Sequence, residues 1–227
     1  MTRFPRLLTA ACAALALVLT ALAAPGSSRA QIFDPETFTL DNGLQVVVVT
    51  NRRAPIVTQM LWYKVGSADE PIRKAGIAHV LEHMMFKGTE KHPDGEFSDI
   101  VARNGGRENA FTSYDFTGYF QTVAKDRLEL IMELEADRMT NLVLDPAEVK
   151  TERQVVIEER AQRVETNPSG KLSEMANASL FLHHPYGTPI IGWEQTVSSI
   201  SADDMQAFYE RWYAPNNAVL IIAGDVT

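Results

Sequence analysis

The chain contains 227 residues, with 21 Lys and Arg against 29 Asp and Glu, so its formal net charge at pH 7 is -8. This acidic balance argues against a nucleic-acid partner, because phosphate backbones are bound by basic surfaces. The hydrophobic and charged fractions, 45% and 22%, exclude a disordered or collagen-like chain and predict one or two compact globular units.

The first 30 residues have the pattern of a secretory signal peptide. A basic start precedes an uncharged, Ala- and Leu-rich stretch at residues 7–24, and small residues allow cleavage after Ala23 or after Ala30. An uncleaved anchor is the alternative, because this stretch is near the lower length limit for a membrane span. The only cysteine, Cys12, lies in the stretch, so the mature protein has no disulfide. We therefore expect a bacterial periplasmic or secreted protein with no membrane span after cleavage.

The first predicted elements after the signal are strands. An Asn42-Gly43 turn separates β-prone runs at residues 37–40 and 44–49, which is a strong hairpin signal. Residues 56–65 are rich in β-branched and aromatic residues and predict a third strand. The pattern then becomes helical, with predicted helices at residues 76–86 and 94–104.

The rest of the chain contains further strands and helices that do not alternate strictly. Asp126 and Asp145 are predicted to cap two helices, the second of which runs to about residue 164. Helices in runs of two and three predict an α+β fold, with helices packed against a largely antiparallel sheet and residues 31–227 forming one domain. The other predicted elements are strands at residues 107–114, 116–124 and 217–223 and helices at residues 169–182 and 201–212.

The predicted helix at residues 76–86 carries a metal-binding pattern, His79-Val80-Leu81-Glu82-His83. Helical histidines four positions apart lie about 40° apart around the axis and about 6 Å apart along it, so both imidazoles can reach one ion. Glu82 lies beside them and can take a proton from water at that ion, as a zinc hydrolase requires. This order is the inverted zincin motif. The alternative is two hydrogen-bonded histidines on a partly buried helix.

A catalytic zinc ion needs a third protein ligand. The acidic helix at residues 148–164 supplies Glu152, Glu158 and Glu159 as candidates. Glu152 and Glu159 are seven positions apart, so they share one helix face at a separation of about 10 Å along the axis. One of them can bind the metal while the other orients a histidine. The alternative for all of them is a solvated helix face.

Further motifs accompany this pattern in a recognisable order. They are residues 76–89 around the two histidines, Gly105-Gly106 with Asn109-Ala110-Phe111-Thr112, Glu152-Arg153 with Glu159, and His184-Pro185-Tyr186-Gly187. With these motifs the chain resembles the pitrilysin and insulysin family of zinc peptidases, in the branch of the mitochondrial processing peptidase and its bacterial relatives. The resemblance covers nearly all of residues 36–227 and implies a processing-peptidase-like metallohydrolase domain.

The resemblance also implies a role for each matched residue. His79, His83 and Glu159 match the family's zinc ligands, and Glu82 matches its general base. Glu152 is expected to support a zinc-bound histidine. Asn109 and Ala110 match the edge strand whose backbone holds a peptide or unfolded polypeptide substrate in extended form. The expected function is therefore zinc-dependent endopeptidase activity on strand-bound peptides.

Family members usually continue into a second, similar domain that closes the substrate chamber. This sequence reaches only the end of the first, zinc-bearing domain at Thr227. We expect either a continuation or a separate partner subunit, and weak or no peptidase activity from this chain alone. The alternatives are a structural or assembly subunit of the same fold, which the intact metal set disfavours, and a small-molecule metallohydrolase.

Overall fold

The computed structural model describes residues 34–93 and 95–226. The proposed signal peptide therefore lies outside the described residues. No helix in the described part of the chain is long and apolar enough to cross a membrane.

The strands are β1 (Glu36–Thr39), β2 (Gln45–Thr50), β3 (Ile56–Tyr63), β4 (Arg107–Thr112), β5 (Thr117–Ala124) and β6 (Ala218–Gly224). The helices are α1 (Ile77–Met84), α2 (Glu96–Arg103), α3 (Leu128–Asn141), α4 (Pro146–Arg160), α5 (Pro168–Leu180), α6 (Glu194–Ser198) and α7 (Ala202–Trp212).

The six strands form one sheet in the order β1-β2-β6-β3-β5-β4. Four of the five neighbouring pairs are antiparallel, and only β2 and β6 run parallel. The predicted α+β class with a largely antiparallel sheet is thus confirmed. The last strand inserts between β2 and β3, so residues close to opposite ends of the described chain complete the middle of the sheet.

One face of the sheet is buried under helices. Along β3, Val57, Gln59, Leu61 and Tyr63 are buried while the residues between them are half-exposed, which is the two-residue period of a strand with one covered face. Val57, Leu61 and Tyr63 join a hydrophobic core with apolar residues of α1, α3 and α7. The only residue of α1 that is not buried is His83. The metal-binding pattern therefore lies on a helix enclosed by the core.

Most predicted boundaries agree with the structure, with two differences. Asp145 caps α4, since its side chain accepts hydrogen bonds from the backbone N–H groups of Ala147 at 2.8 Å and Glu148 at 3.2 Å. The prediction that Asp126 caps α3 is wrong, because a 3-10 turn at Lys125–Arg127 precedes this helix and its N-cap is Arg127. The short helix α6 was not predicted, since five residues are too few for a clear periodicity.

A buried ion pair ties α3 to the end of α1. Arg138 is 1% exposed and makes two bonds of 2.8 Å to the carboxylate of Glu135. Its guanidinium lies 4.2 Å from the ring centroid of Phe97 and also contacts the carbonyl of Met85, the residue after α1. Gln121 donates a further hydrogen bond to Glu135. The pair is thus fully enclosed, and each charge depends on the other.

We predict that Arg138→Leu lowers the free energy of unfolding by about 3–5 kcal/mol, because it leaves the Glu135 carboxylate buried without its cation. The double variant Glu135→Leu/Arg138→Leu removes both charges and is expected to lose less. Urea unfolding monitored by circular dichroism measures both values. A single variant as stable as the original chain would contradict this role.

Candidate metal centre

The start of α1 is fixed by a carboxylate that the sequence did not single out. The two oxygens of Glu70 accept hydrogen bonds from the backbone N–H groups of Gly76 at 2.8 Å and Ala78 at 2.9 Å. Gly76 takes the left-handed conformation, with φ of 96°, which a residue with a Cβ rarely adopts. Burial raises the pKa of Glu70 to about 8, although the two backbone N–H groups act to lower it. Glu70 therefore holds the first turn of the helix that carries the histidines.

His79, His83 and Glu159 converge on one point. Each offers one ligand atom, and these atoms all lie within 4.8 Å of one another. The Oε2 atom of Glu159 is 3.7 Å from Nε2 of His79 and 3.5 Å from Nε2 of His83. Ligand bonds of 2.0–2.2 Å in a tetrahedral zinc site separate donor atoms by about 3.3 to 3.6 Å. The two distances to Glu159 are close to this range, so the donors suit zinc in type and lie near the required spacing.

Glu159 reaches this point from the last turn of α4. An irregular π-helical segment, Ala161–Glu165, follows it, and such segments are rare and often occur at functional sites. Within this segment, Arg163 forms an ion pair of 2.9 Å with Oε1 of Glu159. One carboxylate oxygen thus faces the histidines while the other is held by a cation.

Glu152 lies behind His83 rather than between the histidines. Its Oε2 atom is 3.1 Å from Nδ1 of His83, and its Oε1 atom is 2.7 Å from Nζ of Lys87. The hydrogen bond from His83 and the nearby Lys87 lower the pKa of Glu152 to about 2, against the opposing effect of burial. Glu158, the remaining candidate, lines a groove along α4 and is not in the three-residue group. The geometry therefore distinguishes the three glutamates, which the spacing alone left open.

The two histidines differ in their affinity for a proton when no metal is bound. Burial, together with the charge of His83, lowers the pKa of His79 to about 4. Burial acts to lower the pKa of His83 as well, but hydrogen bonds to Glu152 and Glu159 raise it to about 9. At neutral pH the metal-free site therefore holds one proton on His83 and a neutral His79.

Glu82 lies beside the metal-binding group without joining it. Glu82 is 9% exposed, and its Oε2 atom accepts a hydrogen bond of 2.5 Å from the hydroxyl of Thr112. Burial raises the pKa of this carboxyl group, while the Thr112 hydrogen bond lowers it. Thr112 ends the Asn109–Thr112 motif, but the sequence pattern alone indicates no role for its hydroxyl.

The metal-binding group opens into a cleft of about 590 Å³ that β4 borders. β4 is the last strand in the sheet order, so one of its edges has no partner strand among the described residues. Asn109 is exposed, and its side-chain oxygen accepts a hydrogen bond of 2.9 Å from the backbone N–H of Ala110. The cleft is lined by His79, Glu82, His83, Asn109, Ala110, Phe111, Thr112, Glu159, Arg163, Val164, Ile190 and Ile191.

Comparisons with known proteins identify the family of the chain. The family model described as "Insulinase (Peptidase family M16)" matches residues 45–194, and the model "Peptidase M16 inactive domain" matches residues 199–227. The chain is 41% identical over 204 residues to the zinc protease PqqE of Helicobacter pylori, covering 88% of this chain and 46% of that protein. Relatives named zinc proteases and the His-His-Glu group together confirm zinc as the expected cofactor.

Solved structures show the same fold. A crystal structure of a protease from Helicobacter pylori has a TM-score of 0.81 and 40% identity, covering 86% of this chain and 47% of that one. The first half of the periplasmic protease PqqL from Escherichia coli has a TM-score of 0.78 and 29% identity, with coverage of 85% and 43%. The chain thus spans about half the length of the curated relatives it matches.

We predict that zinc binding at pH 7 releases about one proton, because zinc requires the neutral form of His83. The apparent zinc affinity should therefore rise with pH and level off above pH 9, where His83 is already neutral. Calorimetric titration in buffers of different ionisation enthalpy measures the released protons. Glu152→Gln, which weakens the hold on that proton, should release fewer, whereas zinc binding without proton release would contradict the prediction.

Proposed function

The chain belongs to the insulinase family of peptidases, peptidase family M16, and on this basis we propose that it is the zinc-bearing domain of an endopeptidase. Its substrate would be a peptide or unfolded polypeptide bound as an extended strand. The observation that carries the proposal is the convergence of His79, His83 and Glu159 at one point inside a cleft bordered by an open strand edge.

In this proposal the two histidines and Glu159 hold zinc, and Glu152 orients His83. Zinc bound there would polarise the scissile carbonyl and lower the pKa of a water molecule. Glu82 would accept a proton from that water and deliver it to the leaving amine. The burial of Glu82 suits this exchange, since burial raises its pKa above that of a solvated glutamate.

The exposed edge of β4 would position the substrate. A peptide added as a further strand pairs with free backbone groups, so recognition does not depend on one side-chain sequence. Asn109 and Ala110 lie on this strand at the cleft. A small-molecule hydrolase would have no use for such an edge, which makes a peptide the better substrate.

The proposal includes a second domain and an exported location. The curated relatives are about twice as long as the matched region, which supports a second homologous domain or subunit for full activity. The E. coli relative PqqL is described as periplasmic, in keeping with the signal-peptide pattern of this sequence.

The competing function is a structural subunit of the same fold, and the complete His79, His83 and Glu159 set favours the enzyme.

We predict that Glu82→Gln binds zinc in full stoichiometry but loses at least about 100-fold in peptide hydrolysis, because an amide cannot take up the proton. Metal analysis and a fluorogenic peptide assay measure the two properties. His79→Ala serves as the matched control that loses zinc as well as hydrolysis. Cleavage retained by a zinc-loaded Glu82→Gln enzyme would rule out this role.

We also predict weak or no hydrolysis by this chain alone and a clear gain when a homologous second domain is added as a separate polypeptide. The assay should be run with zinc supplementation, and zinc content should be measured on the same sample. Strong cleavage by the chain alone would refute the need for a second domain. A folded chain that takes up no zinc would instead favour the structural subunit.

A further inference from the structure

Thr112 joins the strand edge of the cleft to the proposed base. It is the last residue of β4, and its hydroxyl donates to Oε2 of Glu82 at 2.5 Å. No other hydrogen bond to the Glu82 side chain occurs among residues 34–93 and 95–226. The hydroxyl is therefore the only hydrogen-bonding group among these residues that orients the carboxylate.

The hydrogen bond from Thr112 gives the two carboxylate oxygens of Glu82 different roles. Oε2 is engaged by Thr112, so Oε1 is left as the acceptor for an incoming proton. When Oε1 takes up the proton, Oε2 becomes the carbonyl oxygen of the acid and can still accept a hydrogen bond from the Thr112 hydroxyl. Thr112 can thus stay bonded to Glu82 in both of its protonation states.

The position of Thr112 on β4 gives the contact a second consequence. Side chains two residues apart on a strand point to the same face, so Ala110 and Thr112 share the face of β4 that is turned toward Glu82. The strand proposed to bind the peptide backbone is the same segment that holds the base. An error in the placement of β4 would displace the substrate and the carboxylate together.

We propose that Thr112 is a positioning residue, whose hydroxyl orients Glu82 so that Oε1 faces the reacting water while β4 holds the substrate. This inference rests on the function proposed above. It assigns Thr112 no contact with the metal and no transfer of a proton of its own. Its effect is on the rate of the proton-transfer step rather than on binding of zinc or peptide.

The test compares Thr112→Val, which keeps the shape of the side chain and removes the hydroxyl, with Thr112→Ser, which keeps the hydroxyl. Crystal structures of the zinc-free chains report the Glu82 side-chain conformer without reference to activity. We expect Glu82 to leave its position or to occupy several conformers in Thr112→Val and to remain in place in Thr112→Ser. If Thr112→Val does not fold, Thr112→Ala replaces it as the variant without a hydroxyl.

The kinetic part of the test uses the zinc-loaded chain with its second domain. Thr112→Val should lower kcat by about 10- to 100-fold, as small displacements of a catalytic group do, with KM, zinc content and melting temperature little changed. Thr112→Ser should recover most of kcat. An unchanged single conformer of Glu82 in Thr112→Val would overturn the proposal. If the original enzyme is active, a Thr112→Ser variant whose kcat is no higher than that of Thr112→Val would also overturn it. Absence of hydrolysis in the original enzyme would refute the proposed function, while the conformer comparison would still decide the role of Thr112.

Discussion

The burial of α1 is the constraint on which the candidate site depends. A helix enclosed by the core carries His79, Glu82 and His83, and buried polar groups cost free energy unless they find partners. The surrounding elements supply several of these partners: Glu70 for the first backbone N–H groups, Thr112 for Glu82, and Glu152 of α4 for His83. The polar contacts of the site therefore also lower the free-energy cost of burying this helix in the core.

The sheet contributes to the site through its unpaired edge. The antiparallel pairing of β4 with β5 places Ala110 opposite Tyr119 and Thr112 opposite Thr117, which fixes the strand in register beside α1. On the other side of β4, no strand follows among the described residues. Exposed edges invite pairing with another chain. A strand that is paired on one side and open on the other supports the proposal that an extended peptide binds along β4.

Local sequence signals predicted the elements of the site but not all of their contacts. The i, i+4 spacing of His79 and His83 fixed their common helix face, because helical geometry is set by nearby residues. Spacing could not distinguish Glu152 from Glu159, since either can reach a histidine until the packing of α4 against α1 is known. The role of Glu70 could not be predicted for a similar reason, because its partners lie across a turn and its effect depends on burial. The central, parallel position of β6 likewise depends on long-range packing, which periodicity does not report.

The charge distribution around the metal-binding group favours a cation there. Glu152 and Glu159 each turn one oxygen outward to a basic side chain, Lys87 or Arg163, and one inward to a histidine. The pKa of each glutamate is lowered by these contacts, so the inward oxygens stay ionised. In the metal-free chain the proton on His83 balances part of this negative charge. A divalent cation would replace that proton and place positive charge beside the ionised oxygens of the two glutamates. Because these oxygens belong to α4 and the histidines to α1, a bound metal would strengthen the contact between the two helices.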